Sequence, residues 1–126
     1  MKKFSNDILD TPEEELKGRI GRFRKSMEDF GIDALVITGF NNFEYLAGHI
    51  YSAWDLHARP IYAVLSQEKF VVIACSFSER LFKLKPRIFD IQYYSGMQAE
   101  AAAETVRNVK NLKLTENAVI ALDYGQ

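Results

Sequence analysis

The stretch Gly31-Ile32-Asp33-Ala34-Leu35-Val36-Ile37-Thr38 carries the fold. From Asp33 to Thr38 it is a short, apolar, partly β-branched run directly after a glycine, which is the pattern of a buried strand with helices on both faces. Upstream, Thr11-Pro12-Glu13-Glu14 places an N-cap residue, a proline at the first helical position and a glutamate three residues after the cap. A helix is predicted to start there. Leu16, Ile20, Phe23, Met27 and Phe30 follow at spacings of four, three, four and three and share one stripe. Gly31 then closes the helix as a C-cap. Lys17, Arg19, Arg22, Arg24 and Lys25 are interleaved with Glu13 to Glu15 and Glu28, so they read as a solvated helix face with no assigned function. A helix leading into a buried strand makes the fold class α/β.

Working outward, Gly39 and Asn41-Asn42 mark a turn, and either asparagine is a candidate cap for a short helix through Phe43, Tyr45 and Leu46 that stops at Gly48. Strand-to-helix loops of open α/β sheets commonly bind ligands, so this loop is the first place to look for a site. It is not a phosphate loop: there is no G-x-x-x-x-G-K-[ST], and Gly39 alone makes no dinucleotide fingerprint. Ile50 to Ser66 is alternating and aromatic, Ser66-Gln67-Glu68-Lys69 is a polar turn, and Phe70 to Cys75 is a second apolar run; together they predict a hairpin. Ser76 or Ser78 starts a helix carrying Leu81, Phe82 and Leu84, which Pro86 ends. Ile88 to Tyr94 is the next strand, with Ile91 and Tyr93 assigned to one face and Phe89, Asp90, Gln92 and Tyr94 to the other. After Ser95-Gly96, an alanine-rich helix runs from Met97 or Gln98 to about Val109, with Ala102, Val106 and Val109 as its predicted contact stripe. Ala118 to Leu122 is read as a last core strand.

Composition bounds the function. A chain of 126 residues, 48% hydrophobic and 26% charged, has the size of one domain with one core. The whole of 1–126 is read as that domain, with 1–10 as a flexible lead. Sixteen Lys and Arg against seventeen Asp and Glu give a net charge of -1, which excludes the basic field of a nucleic-acid binder. The single cysteine, Cys75, forms no internal disulfide, and with only His49 and His57 beside it no structural zinc spacing arises. A reducing, cytoplasmic setting is expected. Apolar runs such as Phe70 to Cys75 fall far short of the roughly 20 residues of a membrane span, and the N-terminus lacks a signal-peptide apolar segment.

Asp55, His57 and Arg59 lie two apart, so in an extended segment their side chains share one face. Arg59 could hold a carboxylate through its planar fork, with His57 as a second donor or acid/base group and Trp54 or Tyr51 as an apolar wall. A solvent-facing strand edge, with Asp55 and Arg59 balancing one another, shows the same spacing. His49 suits a helix exit. Cys75 ends an apolar run and reads as a buried small residue, and Glu100 and Glu104, four apart, read as an exposed helix face. No catalytic signature is complete.

The order of segments says more. The helix through Arg22-Phe23-Arg24-Lys25-Ser26-Met27, then Gly31-Ile32-Asp33-Ala34-Leu35-Val36-Ile37, then Asn41-Asn42-Phe43-Glu44-Tyr45-Leu46-Ala47-Gly48, resembles the N-terminal domain of the creatinase, prolidase and aminopeptidase P family. Arg59-Pro60 leading into Ile61 to Leu65, and Val119 to Asp123, continue the likeness. The resemblance implies a three-layer, ribonuclease H-like α/β domain with a mixed sheet, followed in the parent protein by a catalytic "pita-bread" domain that this chain does not contain. It further implies that the chain is non-catalytic and holds no cofactor, while the parent is a Xaa-Pro dipeptidase, aminopeptidase P-like or creatinase-like hydrolase. The peptidases of this family use two divalent metal ions (Mn, Co or Zn) and creatinase uses none. The implied partners are the C-terminal catalytic domain, a second copy in a homodimer, and a small peptide or amino-acid-derivative substrate, without nucleic acid or membrane. Arg59 matches the arginine that binds the substrate carboxylate in creatinase-like members, and His57 stands where those members place an aromatic residue beside the substrate. A freestanding α/β interaction module with no attached hydrolase is the rival expectation.

Overall fold

A computed structural model describes residues 11–48, 58–83 and 88–123; the expected lead of 1–10 lies outside them. Helix α1 (Glu13–Phe30) is followed by β1 (Ala34–Ile37), α2 (Phe40–Ala47), β2 (Tyr62–Ser66), β3 (Phe70–Cys75), a 3-10 turn (Ser76–Ser78), α3 (Glu79–Lys83), β4 (Asp90–Tyr94), α4 (Gln98–Asn111) and β5 (Ile120–Leu122). The strands form one sheet in the order β4-β3-β2-β1-β5. β2 is antiparallel to both neighbours, whereas β4 is parallel to β3 and β5 to β1. Four strands thus point one way and β2 alone is reversed. The C-terminal ends of β1, β3, β4 and β5, and the N-terminal end of β2, all meet at one edge of the sheet, its carboxyl edge.

Period-two alternation sorts the core into two sides. On one side Ile37, Ala63, Leu65, Phe70, Val72 and Ala74 pack against Ile20 and Met27 of α1, Phe43 and Leu46 of α2, and Phe82 of α3. On the other, Val64, Val71, Ile73, Cys75 and Tyr94 pack with Ala101 of α4. Every residue of β3 is buried, as its unbroken apolar run requires when both faces are covered. The mixed sheet with helices on both faces is the α/β arrangement expected from sequence. The predicted hairpin is present too: the Ser66 N–H donates to the Lys69 carbonyl at 2.8 Å and the Lys69 N–H to the Ser66 hydroxyl at 3.1 Å.

Other placements differ from those expected from sequence. The N-cap position falls on Pro12, whose carbonyl accepts the Leu16 N–H at 3.1 Å, so α1 starts one residue later than predicted and Thr11 does not cap it. Gly31 adopts φ 67° as the left-handed C-cap, and the turn lets the Ile32 N–H reach the Met27 carbonyl at 2.8 Å. Ile32 therefore joins the core while Phe30, at the last helical position, is 80% exposed. Asn41 and Asn42 lie inside α2 rather than before it, and Gly39 occupies the N-cap. Phe89, two residues before Ile91, lies on the side of Ile91 and Tyr93 as alternation requires, not with Asp90, Gln92 and Tyr94 as expected, and meets Phe82 edge-on. The buried stripe of α4 is Ala101, Thr105 and Asn108, and Val106 points outward. Thr105 donates to the Ala101 carbonyl at 2.8 Å and Asn108 to the Glu104 carbonyl at 2.9 Å, so both polar side chains are satisfied within their own helix and can be buried. β5 is an edge strand whose Ile120 and Leu122 are half-exposed, not a core strand. It aligns with Ala34 to Val36, at the margin of a face that α4 covers chiefly over β2, β3 and β4.

The basic face of α1 also does more than meet solvent. Arg19 donates to the Tyr45 carbonyl at 2.9 Å with its guanidinium 4.4 Å from the Tyr45 ring centroid, clamping α1 to α2. Arg24 donates to the Ser66 carbonyl at 2.8 Å and receives Gln67 on its own carbonyl, clamping α1 to the hairpin turn. No described helix is long and apolar enough to cross a membrane. In urea denaturation, Leu46→Ala is expected to cost about 2–5 kcal/mol and Phe30→Ala no more than about 0.5 kcal/mol; comparable losses would place Phe30 back in the core.

Candidate functional site

The carboxyl edge is where strand-to-helix loops collect, and its polar groups are organised by one carboxylate. The pairing of β1 with β5 spans three residues and is bracketed by aspartates at both ends. At the start, the Asp33 N–H donates to the Val119 carbonyl at 2.8 Å while the Asp33 carboxylate accepts the Val119 N–H at 2.8 Å. At the finish, the Asp123 N–H donates to the Val36 carbonyl at 3.2 Å while its carboxylate accepts the Thr38 N–H at 2.6 Å and the Thr38 hydroxyl at 3.0 Å. The second carboxylate oxygen accepts the Gly39 N–H at 3.2 Å and the Asn42 side-chain amide at 2.8 Å. Helix starts carry unsatisfied N–H groups and a positive dipole end; here Asp123 supplies the missing cap of α2 from far along the chain. Burial alone would raise its pKa, but the hydrogen bonds from Asn42, Thr38 and Gly39 together outweigh that and hold the carboxyl below its ordinary value.

The start of α4 is filled in the same way. The Glu100 carboxylate reaches back to the Met97 N–H at 3.3 Å. Gly96 sits at φ 127°, and a Cβ there would lie 2.5 Å from the Glu100 carboxyl carbon, so the close return of Glu100 and the backbone angle both require glycine. Glu100 and Glu104 therefore do not act as a pair, since Glu104 instead bonds Arg107 at 2.6 Å.

Beyond the ends of β3 and β4 lies a hollow of about 530 Å³ lined by Arg59, Cys75, Ser76, Phe77, Ser95, Gly96 and Met97. Its backbone frame is set by Tyr94, which is buried under α4 and donates its hydroxyl to the Pro60 carbonyl at 2.7 Å. Burial pushes that phenol well above its ordinary pKa, so it remains a proton donor throughout the physiological range. Pro60 follows Arg59 directly, and the reversed direction of β2 is what brings this segment to the carboxyl edge. The Arg59 guanidinium stands 5.3 Å from the Phe77 ring centroid and makes no ion pair with any described residue. The Ser76 and Ser95 hydroxyls bond each other at 3.3 Å. Two hollows of similar size surround the β2–β3 turn at the opposite edge, but acidic and basic side chains line both of them.

Of the residues singled out from sequence, Arg59 is at this edge, and His57 lies outside the described residues together with His49, Tyr51, Trp54 and Asp55. Leu84 and Pro86 lie outside them as well. Cys75 is buried, as read. Among the described residues no three of His, Cys, Asp and Glu are placed to hold a metal ion. Sequence reasoning looked first to the Gly39 loop and missed Tyr94, Phe77, Met97 and the Asp123 cap. The one available signal was Ser95-Gly96, a second strand-to-helix turn on the same edge.

Comparison with known proteins follows this geometry. Residues 19–124 match the creatinase/prolidase N-terminal domain. This chain belongs to that family. The domain superposes on a Xaa-Pro aminopeptidase structure from Streptococcus pyogenes with a TM-score of 0.65 and 16% identity, covering 89% of this chain and 94% of that one. It superposes on a prolidase from Thermococcus sibiricus with a TM-score of 0.67 and 17% identity, covering 88% of this chain but 29% of that one. An Xaa-Pro dipeptidase from Bacillus anthracis gives 0.62 and 18%, with 86% and 33% covered. Identities this low establish the fold of the creatinase/prolidase N-terminal domain and nothing finer, and the domain spans a third or less of the two longer chains. No curated protein matches the sequence.

Because folding lowers the pKa of Asp123, its carboxylate contributes stability above the ordinary carboxyl range and loses it as the pH falls through the depressed native value. Asp123→Ala is expected to cost about 1–3 kcal/mol near pH 7, and the gap from wild type should narrow in urea titrations as the pH is lowered toward about 2. A gap that stays constant with pH would show that the charge on Asp123 is not what holds the cap.

Proposed function

We propose that this chain is the non-catalytic N-terminal domain of a Xaa-Pro dipeptidase, aminopeptidase P-like or creatinase-like hydrolase, and that it contributes to dimer assembly and to the substrate entrance. The observation that carries the proposal is Arg59, an arginine without an ion-pair partner among the described residues, fixed at the carboxyl edge of a domain of this family. A guanidinium presents a planar fork suited to a carboxylate. Family membership and the far longer chains of several structural neighbours support a catalytic domain following in the parent protein. In this reading Arg59 meets the carboxylate of a small peptide or amino-acid derivative, His57 flanks it, and a second copy completes the assembly. The setting is cytoplasmic, consistent with a single free cysteine.

The metal-assisted chemistry of the peptidases belongs, in this reading, to the second domain. The described residues of this chain do not fit a metal pair, so no step here passes through manganese, cobalt or zinc. Arg59 binds and orients; it moves no proton.

Two measurements test the proposal. The 126-residue chain supplied with manganese or cobalt is expected to hydrolyse no dipeptide, and reproducible turnover that copurifies with it would overturn the non-catalytic assignment. In the parent enzyme, Arg59→Ala is expected to raise KM about tenfold or more, the scale of one charged hydrogen-bonded contact. Unchanged kinetics with an intact fold would remove Arg59 from the entrance.

A further inference from the structure

The side of the sheet that carries α4 is unevenly covered. α4 lies chiefly over β2, β3 and β4. Val36 of β1 and Ile120 and Leu122 of β5 share the face of Val64 at the far margin, where Ile120 and Leu122 are 49% and 53% exposed. Neighbouring strands lie about 4.8 Å apart and a helix is about 10 Å wide, so β1 and β5 together leave an apolar trough one helix across.

α4 is itself two-sided. Each residue turns the helix by about 100°, and Ala101, Thr105 and Asn108 are the buried positions against the sheet. Glu100, Glu104 and Arg107 fall on one flank, where Glu104 and Arg107 pair at 2.6 Å and Glu100 bonds the Met97 N–H. Ala99, Ala102, Ala103 and Val106 fall on the other flank and the outer surface, with Lys110 at the end of the stripe, and all four are exposed. A crossover between strands that run the same way, as β4 and β5 do, is right-handed, and this turns the alanine flank toward the trough. Charge is thus kept to the side of α4 away from the uncovered strands, the reverse of an evenly solvated helix face. Side chains this small let a second helix approach to about 8 Å.

We infer that a second copy of this chain fills the trough. Two copies stack about a two-fold axis with both α4 helices in one layer between the two sheets, each helix lying on its own sheet and in the trough of the other. Ala102 of one copy meets the partner's Ala102 near the axis, and Ala99, Ala103 and Val106 cover the partner's Ile120 and Leu122. The fit is reciprocal, as a two-fold interface requires: one face carries both the trough and, beside it, the uncharged helix flank that matches it. The inference rests on the dimer assembly proposed above and names its surface. A face about 20 Å long and 20 Å wide stands at the low end of specific interfaces, so the pairing is reversible, with a Kd of the order of 10 μM.

The test is sedimentation equilibrium of the 126-residue chain from about 1 μM to about 500 μM, a range that brackets the expected Kd. The mass is expected to rise from that of one chain to that of two. Ala103→Glu, a change that an exposed helix position accepts without loss of fold, should weaken the pairing about tenfold or more by bringing an unpaired charge to an apolar seam. Arg107→Ala, on the opposite flank, should leave it unchanged. Under mild oxidation Ala102→Cys should give a disulfide-linked dimer and Arg107→Cys none, with the buried Cys75 silent in both. Circular dichroism of each variant establishes that it is folded. A dimer that Ala103→Glu leaves intact, or that crosslinks through Arg107→Cys instead, overturns this face while the dimer reading stands. A folded chain that stays monomeric throughout the range overturns this face and removes the dimer from that reading as well.

Discussion

A carboxylate at the end of a three-residue strand holds two elements at once. Asp123 ties β5 to β1 through the backbone and ties the first turn of α2 to the same point through its side chain. The pairing of β5 with β1 spans only three residues, and the N-cap residue of α2 is a glycine with no side chain to cap it. Once α2 is set, Phe43 and Leu46 fall beneath α1 and complete one side of the core, while Arg19 locks Tyr45 from above. The cap is thus upstream of the packing in a causal sense. Its charge is favoured because each oxygen meets donors of the right geometry, which more than offsets the desolvation of a partly buried carboxylate.

The distribution of charge along the carboxyl edge follows from the same economy. Parallel strands bring helix starts to one edge, and helix starts attract anions. In this domain two carboxylates of the chain satisfy that attraction, Asp123 at α2 and Glu100 at α4. The reversed strand β2 then contributes what the parallel strands cannot, an arginine entering the edge from its N-terminal end, pinned through Pro60 by Tyr94. The fold has the topology that in other proteins cradles phosphates, and here its own carboxylates already hold the Thr38, Gly39 and Met97 N–H groups, while the Arg59 guanidinium stands beside the Phe77 ring.

Much of this was legible because its causes are local. Apolar spacing announced α1, the Gly31 C-cap ended it, and Asp33 to Thr38 read as a strand because six consecutive residues carried the pattern. The hairpin was visible in Ser66 to Lys69 between two apolar runs. What escaped has tertiary causes. Thr105 and Asn108 are buried because they bond carbonyls one turn back, which a hydropathy stripe counts against burial. Phe30 is exposed because a chain reversal at Gly31 hands its place to Ile32. Arg59 was found from a two-residue spacing and a family likeness, but Phe77 and Met97 share no sequence neighbourhood with it and become its companions only when β2, β3 and β4 lie side by side. Asp123 and Asn42 could not be matched from spacing at all.

The long reach between Thr38 and Asp123 also orders events in time. The meander of β1, β2 and β3, with α1 and α2 laid on it, uses only chain up to Cys75 and can assemble from near contacts. The outer side of β1 and the Thr38 and Gly39 N–H groups wait for β5 and Asp123, which at ordinary ribosomal rates arrive seconds later. During that interval a nascent chain presents an open strand edge and bare amide groups at the very place where β5 and Asp123 must land, so closure of the sheet is a late step and the vulnerable period for mispairing belongs to β1.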